Sequence, residues 1–231
     1  MNKTKIEWCD YTWNPITGCT VGCSYCYAKK IVDRFPDNYP KGFFPTFHPH
    51  RILESSKVKT PSRIFTCSMG DFWDTNITDS QRAMVIWEMW KNPQHRYIIL
   101  TKRPENITDV VEYKSDAKCV PAYIKLPDNL WLGVTVEYPG TEDRIDTLIR
   151  NTSKNRFVSF EPLLGMISPC LIGIDWIIIG AQTNPNKQPD QNWIIPIIEE
   201  ADRLSIPVFE KDNLEIVIRK EYPKELTKPF C

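Results

Sequence analysis

A partial parallel (β/α) barrel of about six to seven strands is the α/β architecture this sequence predicts. Three observations point to it. Short apolar runs rich in β-branched residues recur: RIFTCS (63–68), RYIILTK (96–102), LWLGVTV (130–136), RFVSFEP (156–162), DWIIIGA (175–181) and IPVFEK (206–211). Near-continuous apolar character marks strands covered on both faces, as in a parallel sheet. Segments with helical spacing fall between several of them. TDSQRAMVIWEMWKN opens on a Thr78 or Asp79 cap, and TEDRIDTLIRN and IIPIIEEADRL read the same way. Strands alternating with helices imply βαβ units with right-handed crossovers.

The chain reads as one domain over residues 1–231, with a first strand near TWNPITG. A proline- and aromatic-rich excursion around 35–61 interrupts the alternation and is expected to cover the site. DVVEYKSDAKCVPAYIKLPDN is a second irregular insertion. The 29 basic and 29 acidic residues cancel, which disfavours a broad grip on nucleic acid and suits a small ligand. MNKTKIEWCD holds no apolar run of signal length, and WIIIGA is too short to span a bilayer. The expectation is a soluble, cytoplasmic protein without a membrane partner.

Cys19, Cys23 and Cys26 are spaced C-x3-C-x2-C within GCTVGCSYCYAKK. Soft thiolates select iron–sulfur clusters, zinc or copper(I). A structural zinc needs four ligands, and closed 4Fe–4S clusters take four cysteines. Three thiolates therefore leave a position open. A zinc site completed by His48 or His50 of FHPH is the alternative, and Cys9 is a further conceivable ligand. Cys67, Cys119, Cys170 and Cys231 stand alone and read as ordinary small side chains.

With Tyr25 as the aromatic before the third cysteine, this motif resembles that of the radical S-adenosylmethionine superfamily. TKIEW, TWNP, RIFTCSMGDFWD, LTKRPENI, LWLGVTVE, RFVSFEPLLG and DWIIIG are similar, in order, to blocks of its small phage-type three-cysteine proteins, and in length to their queuine lyase branch. The resemblance implies a radical-SAM-type barrel and a 4Fe–4S cluster on Cys19, Cys23 and Cys26. It further implies bound S-adenosyl-L-methionine, a 5′-deoxyadenosyl radical and an electron donor such as flavodoxin or ferredoxin. For the lyase branch it implies cleavage of the N-glycosidic bond of queuosine 5′-phosphate to release queuine. GAQTNPN and VFEKDNL depart from the family's turns and point to a changed substrate. Modification or repair of nucleic acid is one alternative function, and a non-catalytic zinc protein is another.

Residues at the carboxyl ends of the strands face ligands in such folds. By resemblance, Tyr25, Ser68, Gly70 and Asp71 contact the cofactor, as do Thr101, Thr135 and Glu137, the last two at its ribose. The plainer reading of Ser68–Asp71 is a turn with a helix cap. Lys102 or Arg103 could meet a carboxylate or phosphate, or form a solvated pair. Glu161 follows an apolar strand, and a carboxylate can accept two adjacent N–H donors of a guanine-like edge. Asp71, Asp74 and Glu210 compete for that role, and Glu161, Asp71 and Lys102 are the catalytic candidates. Trp13, Phe72 and Trp73 are candidates to stack on a base, or are core. Asn14, His48, His50, Arg51 and Lys211 complete the expected substrate contacts, while His95 reads as structural.

Overall fold

The computed structural model describes residues 1–114, 121–152, 155–183, 185–215 and 219–228. Its centre is an eight-stranded sheet in chain order. The strands are β1 (Asn2–Lys3), β2 (Tyr11–Trp13), β3 (Arg63–Thr66), β4 (Arg96–Thr101), β5 (Leu130–Thr135), β6 (Asn155–Phe160), β7 (Trp176–Ile179) and β8 (Val208–Glu210). Only β1 runs antiparallel to its neighbour, and every pairing from β2 to β8 is parallel. Each predicted run forms a strand at its expected place.

The helices are α1 (Tyr27–Arg34), α2 (Asp79–Trp90), α3 (Asp143–Asn151) and α4 (Gln191–Arg203). A reciprocal capping box starts α2, with Gln81 N donating to Thr78 Oγ1 at 3.3 Å and Thr78 N to Gln81 Oε1 at 3.0 Å.

Strand periodicity sorts the interior into two layers. Tyr97, Ile99, Leu130, Leu132, Val158, Ile177 and Val208 face one core, shared with buried apolar residues of α2, α3 and α4. Phe65, Ile98, Trp131, Phe157, Trp176 and Phe209 point to the other face, joined by Trp8 and Leu226. Gly133 belongs to this second layer, where an added Cβ would lie 2.3 Å from the Phe157 ring. A bare backbone at β5 makes the room that the ring fills.

The sheet does not close into a barrel, which corrects the finer part of the predicted architecture. β1 and β8 end it, and no ladder joins them among the described residues. The segment after β8 bridges the gap instead. It pairs with β8 through Phe209 and Lys220, while Tyr222 Oη donates to the Glu7 carbonyl at 3.3 Å and Lys220 pairs with Glu7.

The excursion forms 3-10 turns at Pro36–Asn38 and Pro49–Lys57, and its Thr46–Phe47 pairs antiparallel with Ile16–Thr17. The second insertion contributes the antiparallel pair Val110–Glu112 and Tyr123–Lys125. Cys9 and Cys67 are buried free thiols and Cys170 is exposed, while Cys119 and Cys231 lie outside the described residues. No helix among the described residues is long and apolar enough to cross a membrane.

Candidate active site at the carboxyl ends of the strands

A cavity of about 380 Å³ opens where the seven parallel strands end, a size and position typical of small-ligand sites. The loop after β2 contributes Cys19, Cys23, Tyr25 and Cys26. The turn after β3 contributes Cys67, Ser68, Gly70 and Asp71, and β4 contributes Leu100, Thr101 and Lys102. Thr135, Glu161, Gln182, Thr183 and Lys211 follow from β5 to β8, and Trp8, Phe65, Phe43 and Tyr27 add apolar wall.

The cysteine loop is tightly tethered. Gly18 N donates to Met69 O at 2.8 Å, Asp71 N to Gly18 O at 3.2 Å, and Cys19 N to Phe43 O at 3.0 Å. Gly18 has φ +85°, and a Cβ on Gly70 would sit 2.6 Å from Gly18 O. Gly70 thus admits the backbone of the cysteine loop, a use that differs from the close approach of a ligand. Buried Asp74 accepts from Thr20 N at 2.9 Å and Thr20 Oγ1 at 2.7 Å, and Arg103 Nη2 donates to Thr20 Oγ1 at 2.7 Å. Asn14 braces the same turn, accepting from Met69 N at 3.0 Å and donating to Ser68 Oγ at 3.2 Å.

Two further buried carboxylates, Asp71 and Glu137, are consumed by this bracing. Asp71 accepts from Thr101 Oγ1 at 2.7 Å, Trp73 N at 3.0 Å and Lys102 N at 3.1 Å. Burial pushes its carboxyl up from the usual value against the pull of those donors. Glu137 accepts from Tyr25 Oη at 2.7 Å and from Arg144 Nη1 at 2.6 Å, and pairs with Lys102. Burial opposes its charge, but Lys102, Tyr25 and Arg144 outweigh that and hold the carboxyl below the usual range. The Lys102 ammonium also lies 4.8 Å from the Tyr25 ring centroid.

Glu161 and Lys211 form a separate ion pair on the opposite wall, over Gly180. Glu210 lies off the cavity wall, with one oxygen accepting from Arg219 N at 2.8 Å and burial pushing its carboxyl up. Trp13, Phe72 and Trp73 are fully buried in the main core and do not line the cavity. His48 lies outside the cavity with Nε2 2.8 Å from Thr17 Oγ1; burial and then Arg51 lower its pKa to about 4. His50 packs edge-on against His48, Arg51 Nη1 donates to Asn14 O at 3.2 Å, and His95 Nε2 meets Val58 O at 3.1 Å in the core. Sequence reasoning missed Trp8, Phe43 and Phe65, which carry no local signal. It also missed Gln182 and Thr183, whose position just after a strand was the available clue.

The three thiols face one cavity without converging. Among the described residues, no group of three or more His, Cys, Asp or Glu side chains is arranged to hold a metal ion. The donor set nevertheless suits a thiophilic group. All three thiols are free, and two sulfurs accept backbone N–H groups, Cys19 from Val21 and Cys26 from Lys29, each at 3.4 Å. Burial pushes the Cys19 thiol up to about 12, so a cation is needed to draw off its proton.

No curated protein and no solved structure matches the chain. Residues 3–222 match the family described as "Protein of unknown function (DUF5131)". That match, and the lack of an assembled ligand group among the described residues, overturn the assignment to the radical S-adenosylmethionine superfamily and its queuine lyase branch, which rested on the cysteine spacing and on the resemblance of successive sequence blocks. Spacing fixes how many residues separate the sulfurs but leaves their side-chain directions open. The match spans nearly the whole chain, and the protein belongs to this family of unknown function.

Proposed function

We propose that the protein is an enzyme acting on a nucleotide-sized substrate in this cavity. Cys19, Cys23 and Cys26 carry a 4Fe–4S cluster, and S-adenosyl-L-methionine is the second cofactor. The observation that carries the reading is that the three free thiols and the Glu161–Lys211 ion pair line one cavity. Cys19, Cys23 and Cys26 would hold such a cluster, which would supply the electron for cleaving the carbon–sulfur bond of S-adenosylmethionine.

The protein's own part is placement. Gly18, Gly70 and Asp74 hold the cysteine loop against the turn after β3. Tyr25, Lys102 and Glu137 fix its far end to β4 and the end of β5. Trp8, Phe65 and Leu100 give the cavity a dry wall that limits quenching by water. The reaction placed first is glycosidic cleavage of queuosine 5′-phosphate with release of queuine.

The test is anaerobic incubation of reconstituted, reduced protein with S-adenosylmethionine, with and without that nucleotide. The reading expects 5′-deoxyadenosine in both, accelerated by the nucleotide and matched by free queuine. 5′-Deoxyadenosine that stays unaccelerated, with no free base, removes the lyase reading and turns the search to nucleic acid. A colourless protein with stoichiometric zinc and no 5′-deoxyadenosine removes the radical reading altogether.

A further inference from the structure

Four carboxylates were open as readers of a substrate edge, and the structure separates them. Asp71 and Asp74 are each saturated by at least three donors of the chain itself. Glu210 lies off the cavity wall. Glu161 remains. It lines the cavity, its side chain is 23% exposed, and its partner is Lys211, a flexible cation on the same wall.

We infer that the Glu161–Lys211 pair reads a guanine-type edge, an inference that rests on the cavity being a nucleotide site. Such an edge presents two adjacent N–H donors beside a carbonyl acceptor. The carboxylate of Glu161 takes both N–H groups and the Lys211 ammonium donates to the carbonyl. Each charge keeps a partner when the ligand enters, so neither is left buried and alone. The two bonds to the carboxylate are charge-assisted, which makes the second N–H the discriminating contact. Asp71 and Lys102 cannot take this part, because Trp73, Thr101 and Glu137 already hold them.

Binding of guanosine 5′-monophosphate and inosine 5′-monophosphate to the full chain, measured by calorimetry, tests this. Inosine lacks the second N–H donor and is expected to bind about tenfold or more weakly. Glu161→Gln should weaken guanosine 5′-monophosphate by about the same factor and abolish the preference. Lys211→Met should weaken both nucleotides together, with unfolding midpoints near that of the unaltered protein. Equal binding of the two nucleotides, unchanged by Glu161→Gln, overturns the edge reading and leaves the nucleotide site standing. Absence of binding by either nucleotide overturns both.

Discussion

The two walls of the cavity are built on opposite plans. On the side formed by β2 to β5, every buried carboxylate is spent on the protein. Asp71 ties the turn after β3 to β4, Asp74 ties it to the cysteine loop, and Glu137 gathers Tyr25, Lys102 and Arg144. On the side formed by β6 to β8, the Glu161–Lys211 ion pair stands over Gly180 and is partly exposed. The difference teaches a division of labour. A buried carboxylate satisfied from several directions stiffens a site and has no capacity left for a ligand. A partly exposed pair whose charges have no other anchor among the described residues can exchange partners at smaller cost than a fully buried cluster.

Substitutions should separate the walls by magnitude. Asp71→Ala leaves a hydroxyl and two N–H donors without an acceptor, so the loss in unfolding free energy should be about 4 kcal/mol or more. A denaturant titration showing under about 1 kcal/mol would mean that water already serves those donors.

Glu137→Gln breaks a buried charge cluster and should cost about 3 kcal/mol at neutral pH. Its pH dependence has a definite sign. The folded carboxyl titrates below its usual value, so its contribution is present above the unfolded value. That contribution is lost as pH falls through the folded one. The gap between parent and variant should therefore be widest near neutrality and narrow on acidification. A gap that widens in acid would place the charge in an unfavourable setting.

Gly133→Ala probes the packed floor beneath both walls. The new methyl overlaps the Phe157 ring, and thermal unfolding should show a loss of about 1–3 kcal/mol. A neutral outcome would mean that the aromatic layer has room to shift. The smallest effect belongs to Glu161→Gln, below about 1 kcal/mol in stability. A loss as large as that of Glu137→Gln would erase the proposed distinction between the walls.

The sheet was legible because strands covered on both faces leave uninterrupted apolar runs, and all six quoted runs became parallel strands. Its failure to close was not, since pairing between the first and last strands depends on long-range geometry. The two-residue β1 is too short to leave a pattern. Strand-end positions such as Ser68, Thr101 and Thr135 could be read as cavity residues from the fold alone. The fate of the carboxylates could not, because whether Asp71 meets a ligand or Thr101 is decided by partners some thirty residues away. Trp13, Phe72 and Trp73 show the same limit, since an aromatic that stacks on a base and one that fills a core share one composition. The excursion sends Phe43 to the cavity.

On the proposed function, the braced wall fixes the loop whose Cys19, Cys23 and Cys26 would have to reorient to take a common metal group. Counting iron and sulfide after anaerobic reconstitution tests this most directly, with the parent chain beside single Cys19→Ala, Cys23→Ala and Cys26→Ala variants and a Cys9→Ala control. The account predicts about four irons and a broad absorbance near 400 nm in the parent and the control, and their loss in each of the three variants. Iron-free parent protein, or equal loss in the Cys9→Ala control, would contradict it.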